Sequence, residues 1–299
     1  MTSWELVSDE TAGADEKGWL AEPQNDARWL FKPVTIKSGF RHGEDWAEKG
    51  TSEIAHALGI PSATVQLARR GDLEGTISLD LCPTEYDLQP GYVAMEAHPI
   101  EGFSRGNVRG RPGHSLANIR RVLDGALPPP GSDLPGTMGA FDVFCGYLML
   151  DALTANRDRH DENWAVLIPS LAGGSRRVCG SYDHANSLGY NVREQELTRR
   201  LADEDGGVRA WAERGTAFRF EHEPGQPIMS LVEAAAQGFR LAGDETRTYW
   251  MDRLERLDCA RVADVLASLP SMSVLSRRFA NELLKTNRRR LLDECGSGT

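Results

Sequence analysis

The chain has 299 residues, 40% of them hydrophobic and 26% charged, an ordinary globular balance and enough length for one two-lobed unit. A formal net charge of −10 argues against general affinity for nucleic-acid backbone or an anionic membrane, so neither is expected as a direct partner. Five scattered cysteines, none in a CxxC pair, suggest neither a disulfide framework nor structural zinc and fit a reducing cytosol.

In chain order, the opening MTSWELVSDE is acidic and lacks the regions of a signal peptide. WELV and ARWLFKPV read as strands, and GEDWAEKGTSEIAHALGIP as a helix of about four turns stopped at Gly59-Ile60-Pro61. ATVQLAR, EGTISLDL and GYVAME read as further strands. The cluster LPPPGSDLPG at 127–136 continues neither helix nor strand and divides the chain roughly in half. Beyond it, GAFDVFCGYLMLDALTAN has Phe141, Phe144, Leu148 and Ala152 at helical spacing. The longest apolar run lies there, but Asp142 and Asp151 interrupt it and it is too short to span a bilayer. WAVLIP, SLAGGS and RRVCGSYD then read as strand, turn and strand, returning the chain to Asp183. From about residue 190 helices dominate, ending in VLSRRFANELLKTNRRRLLDE.

The buried helix delivers the chain to LTANRDRHDENWAVLI, where Asp158 and Asn163 are five residues apart on a loop between apolar segments. An acid to orient a hydroxyl, an amide oxygen for a divalent cation and a second acid on that cation are what phosphoryl transfer from Mg-ATP requires. The Asp-to-Asn offset equals that of the protein-kinase catalytic loop, and Asp183, in SYDHANSLG, stands just past the next hairpin, where a metal-binding acid is needed. A solvated polar loop is the alternative reading of DRHDEN taken alone.

NRDRHDENW resembles the N-x-D-x-H-x-x-N catalytic loop of the HipA-like kinases and, more remotely, the D-R-H-x-x-N loop of phosphatidylinositol 3/4-kinases, while YDHANSLG resembles the segment that replaces DFG in them. WLFKPV is similar to their lysine strand, GEDWAEKGTSEIAHALGIP to the following helix, and YVAMEAHPIEGF to the strand and hinge between lobes. The resemblance covers residues 15–190. It implies an α+β, two-lobed protein-kinase-like fold: a β-rich N-lobe over 1–98 with the ATP-binding lysine, and a helical C-lobe over 99–299 with the catalytic loop and metal-binding segment.

Carried over residue by residue, the resemblance implies that Lys32 holds the ATP phosphates, with Lys37 the alternative beyond Pro33, and that a helix acid pairs with it, Glu48 in preference to Glu53. Asp158 is then the catalytic acid that orients and deprotonates the acceptor hydroxyl, and His160 buttresses its loop. Asn163 and Asp183 hold Mg2+ as hard oxygen ligands. His184 and Asn186 shape the metal segment, and backbone groups near Glu96 and His98 bind adenine. No GxGxxG loop is present; the nearest phosphate-covering turn is ETAGADEKGW, with Gly13, Lys17 and Gly18. The implied activity is ATP- and Mg2+-dependent transfer to a protein serine or threonine, in a toxin-like or regulatory role. A translation factor would be the acceptor and an antitoxin-like protein the regulator. A lipid or small-molecule kinase, and a catalytically silent pseudokinase, are the alternatives.

Overall fold

The structure, a computed structural model, describes residues 4–10, 17–106 and 108–296. Strands β1 (Glu5–Glu10), β2 (Lys17–Ala21) and β3 (Arg28–Pro33) run antiparallel. After the two-residue strands β4 (Ile36–Lys37) and β5 (Phe40–Arg41) comes helix α1 (Glu44–Leu58), then β6 (Val65–Arg70) and β7 (Leu73–Leu79). The five long strands form one sheet ordered β1-β2-β3-β7-β6. Side chains alternate across a strand, so burying Trp29 and Phe31 with Leu20 and Ile77 turns Lys32 to the other face.

Helix α1 occupies the span that its apolar spacing and stop signal indicate. Gly59 closes it in the left-handed region at φ 68°, and Pro61 follows. The helix packs on β6 and β7, and its Trp46, Ile54 and Leu58 belong to the main core.

Strand β8 (Tyr86–Pro90) leads into helix α2 (Gly91–Ala97). The strand expected over GYVAME is therefore a helix, and extended structure stops at Pro90. The reason is packing around Gly91. A Cβ there would lie 2.2 Å from the Trp164 ring, while the Gly91 and Tyr92 amides donate to the carbonyls of Trp164 and Asp161 and turn the chain. The β-forming character of Tyr92 and Val93 yields to that junction.

Helices α3 (Leu116–Leu123) and α4 (Ala140–Thr154) follow, then β9 (Ala165–Pro169) and β10 (Arg177–Val178), which with β8 make an antiparallel sheet ordered β10-β9-β8. The rest is helical: α5 (Glu194–Leu201), a 3-10 turn at Glu204–Gly206, α6 (Gly207–Glu213), α7 (Leu231–Ala242), α8 (Asp244–Glu255), α9 (Cys259–Ser268) and α10 (Val274–Cys295). Helix α4 is buried almost all round, with α7, α10 and β10 against it, and forms the centre of the core. No helix among the described residues is long and apolar enough to cross a membrane.

Candidate active site

The loop after α4 is built from the inside. Ala155 leaves the helix in the left-handed region, and Asn156 folds back to donate to Asp151 Oδ1 at 2.8 Å. Arg159 makes two 2.8 Å hydrogen bonds to the Asp151 carboxylate and a third to the Asn163 carbonyl; both side chains of the ion pair are almost wholly buried. A planar guanidinium on a carboxylate fixes direction as well as distance. The two ends of the loop are thereby clamped to the last turns of α4.

That clamp presents Asp158 outward. Its carboxylate accepts from Asn186 Nδ2 on one oxygen and from Arg219 Nε on the other, each at 2.6 Å. Its carbonyl accepts the Asn163 side-chain amide at 2.7 Å, which leaves Asn163 Oδ1 as an oxygen donor for another group. His160 lies in the same loop, its Nδ1 accepting the Glu162 N–H at 3.1 Å. Burial lowers the His160 pKa despite the nearby Asp158 carboxylate, in keeping with an acceptor, uncharged ring.

Across from the loop, Lys32 Nζ donates to Asp183 Oδ1 at 3.1 Å, joining β3 to the segment after β10 over 151 positions of sequence. The two side chains are 21% and 27% exposed. Asp183 holds φ 56°, a backbone conformation that short polar residues tolerate best. Glu48 is buried, with Oε1 3.6 Å from His184 Nδ1, and His184 Nε2 is 2.7 Å from Ser181 Oγ. One turn on, Thr51 Oγ1 meets Ser187 Oγ at 2.6 Å, so α1 is seated on the Asp183 segment. The Lys32–Glu48 ion pair that the sequence suggests is not formed; Lys32 pairs with Asp183, and Glu48 acts on it only through its charge. Glu53 pairs with Lys49, and Lys37 is exposed on β4.

Neither a protein-family model nor a curated protein sequence matches the chain. Solved structures do. The Helicobacter pylori proinflammatory kinase CtkA superposes with a TM-score of 0.72 over 99% of this chain and 95% of that one, at 15% identity. A chain from the Shewanella oneidensis MR-1 toxin–antitoxin complex of HipA, HipB and operator DNA superposes at 0.57 over 99% of this chain and 67% of that one, at 14% identity.

The fold is that of the HipA-like kinases.

In this HipA-like fold the electrostatics of the cleft follow from the Lys32–Asp183 pair. Asp183 raises the Lys32 pKa well above the usual lysine value, more than burial lowers it, and Glu48 adds to the rise. Burial alone would push the Asp183 carboxyl up, but Lys32 and then Lys17 hold it far below the carboxylate range. Lys17, at the start of β2, is thus a second cation in the field of this carboxylate. Of the candidate phosphate-covering turn, Lys17 and Gly18 lie on β2, while Gly13 lies outside the described residues.

Arg219, missing from the sequence reading, lies 61 positions from Asp158 in the connection between α6 and α7. That connection is tied down by hydrogen bonds from the Glu221 amide to the His114 carbonyl and from the Ala217 amide to the Met229 carbonyl. No local spacing announces such a residue; the single arginine of TAFRFEH is its only trace in the sequence. Glu96 and His98 fall at the end of α2, where Glu96 is exposed and His98 hydrogen-bonds the Ala94 carbonyl. No hydrogen bond or ion pair among the described residues links either to Lys32, Asp158, Asn163 or Asp183. The connection between the two main sheets is residues 80–85, from β7 to β8.

Proposed function

We propose that the chain is an ATP- and Mg2+-dependent phosphotransferase of HipA-like type whose acceptor is a serine or threonine hydroxyl of a protein. The observation that carries the reading is the Lys32–Asp183 ion pair. It places a strand cation and a segment acid together beside a loop whose clamp aims Asp158 at the same cleft.

Lys32, with Lys17, neutralises the nucleotide phosphates from a fixed strand position, and Glu48 contributes negative charge that keeps the ammonium protonated. Glu48 Oε2 is buried without a hydrogen-bond partner, so Lys32 has a second acid to face once Asp183 engages a cation. Asn163 and Asp183 are the residues that would hold magnesium. Their oxygens are hard donors, and one carboxylate with one amide suits an ion that takes its remaining ligands from phosphate and water. Held there, magnesium would supply charge neutralisation on the phosphates. Asp158, oriented by Asn186 and Arg219, accepts the acceptor's hydroxyl proton as the acceptor oxygen bonds to the γ-phosphorus and the bond from that phosphorus to the β–γ bridging oxygen breaks, releasing ADP. His160 holds the loop through the Glu162 amide and takes no part in proton transfer.

The lobes divide in this reading within residues 80–85, and adenine lies against that connection in preference to Glu96 and His98. The HipB and operator DNA that accompany the Shewanella neighbour support an antitoxin-like regulator here, with a translation factor as the kind of acceptor the motif resemblance implies. The test is incubation of the protein with γ-labelled ATP and Mg2+, with and without cell extract, reading label in protein, lipid and soluble fractions. Label in protein on serine or threonine is expected. Label in lipid or a soluble metabolite would overturn the acceptor class, and failure to bind Mg-ATP would overturn the reading itself.

A further inference from the structure

A cleft of about 660 Å³ opens between α5, α6, α9 and α10, away from Asp158 and Lys32. Its floor is apolar, formed by Leu153, Leu201, Val208, Val262 and Leu284. Its walls carry five cations, Arg200, Arg209, Arg278, Lys285 and Arg288, against two acids, Asp203 and Glu282, an excess of three positive charges on a chain whose net charge is −10. Some of that charge is already committed. Arg200 donates to Glu196, Arg209 to Glu213, Lys285 to Glu282, and Arg288 to the carbonyls of Leu254 and Glu255. Arg278 is exposed and makes no ion pair with an acid among the described residues. The volume lies within the range of about 300–1,000 Å³ typical of small-molecule sites.

We propose that this cleft is a second ligand site, for a small anion with an apolar body, of the class of a medium-chain carboxylate or aromatic sulfonate. The apolar floor takes the body and Arg278 takes the charge, with Lys285, which Glu282 already holds, seven residues along the same face of α10. A nucleic-acid strand would need a long basic track; here the cations border a half-open cleft that also has apolar lining. The site also touches the last turn of α4, from which the catalytic loop leaves. Leu153 is part of the floor, its carbonyl accepts from Asn287 of α10 at 3.2 Å, and the next carbonyl, of Thr154, accepts the Leu188 amide of the metal segment. An occupant therefore bears on the turn from which both segments are hung.

The test uses the intact protein with anilinonaphthalene sulfonate as fluorescent probe and decanoate as competitor. One probe site per chain is expected, displaced by decanoate and not by Mg-ATP. Affinity should fall about tenfold, equivalent to ~1.4 kcal/mol, in the double variant R278E/K285E. It should be unchanged in R261E, an exposed α9 position outside the cleft. Ala263→Trp, which puts an indole into the cleft and leaves every charge in place, should weaken binding at least tenfold while the circular dichroism spectrum is retained. Binding unchanged in either R278E/K285E or Ala263→Trp would overturn the site. Hydrogen exchange over residues 153–163 should slow when decanoate binds, and unaltered exchange would overturn the link to the loop. None of these readouts depends on phosphotransfer.

Discussion

Asp158 has a donor on each carboxylate oxygen, and the groups behind it are as constrained as the acid itself. Arg159 and Asp151 are buried and matched by two parallel hydrogen bonds, so removing one partner leaves a charge in the core. Asp151→Ala should therefore destabilise the protein by about 3–5 kcal/mol, read from denaturant midpoints. A loss below about 1 kcal/mol would mean that the clamp does not hold the loop. His114 gives a pH dependence. Trp164 Nε1 donates to its Nε2 and its Nδ1–H donates to the Arg219 carbonyl, so the ring is neutral, and burial first of all lowers its pKa from 6.5 to about 4. Below pH 6.5 the unfolded chain takes up a proton that the folded chain refuses. Stability is thus intact above about 6.5 and falls as pH drops toward 4, by about 1.4 kcal/mol per pH unit at most. In His114→Gln that slope should diminish over the same window; an identical slope would show that another group titrates. That Asp158 and Asn163 share one loop was legible in the sequence because their offset is short and local, and that Asp183 follows the next hairpin was legible from the strand–turn–strand pattern. Arg219 and the Lys32–Asp183 pairing were not, since each is made by chain segments whose approach only the fold decides.

At the scale of elements, α1 and α4 were legible to within a residue or two, because apolar spacing marks both and a Gly-x-Pro exit ends the first. Helix α2 was not. Seven residues give too few turns for a period to show, and the signal that matters, room for Trp164 over Gly91, is tertiary. Gly91→Ala should accordingly cost about 1–3 kcal/mol through overpacking against the indole, although alanine favours helix. Thermal melts of the variant would check this, and a melting temperature at or above that of the parent would show that the ring moves aside freely. The seat of α1 on the Asp183 segment, through Glu48 with His184 and Thr51 with Ser187, explains why a helix distant in sequence can govern the geometry of the cleft.

Over the whole molecule, the five-stranded sheet keeps its own buried cluster while α1, packed on β6 and β7, belongs to the core of the helical body, and the cations of β2 and β3 stand in the field of Asp183 beyond the hairpin. The division of labour makes binding and chemistry separable. Asp183→Ala should abolish tight Mg-ATP binding and Asn163→Ala should weaken it, whereas calorimetry showing both equal to the parent would place the metal elsewhere. The central claim is that Asp158 acts on the acceptor while Lys32, Asn163 and Asp183 serve the nucleotide. It is tested most directly by single-turnover phosphotransfer in Asp158→Asn alongside Mg-ATP binding of the same variant. The account predicts a rate reduced by about 10²–10⁴-fold with affinity for Mg-ATP nearly unchanged. A parental rate in that variant would contradict it.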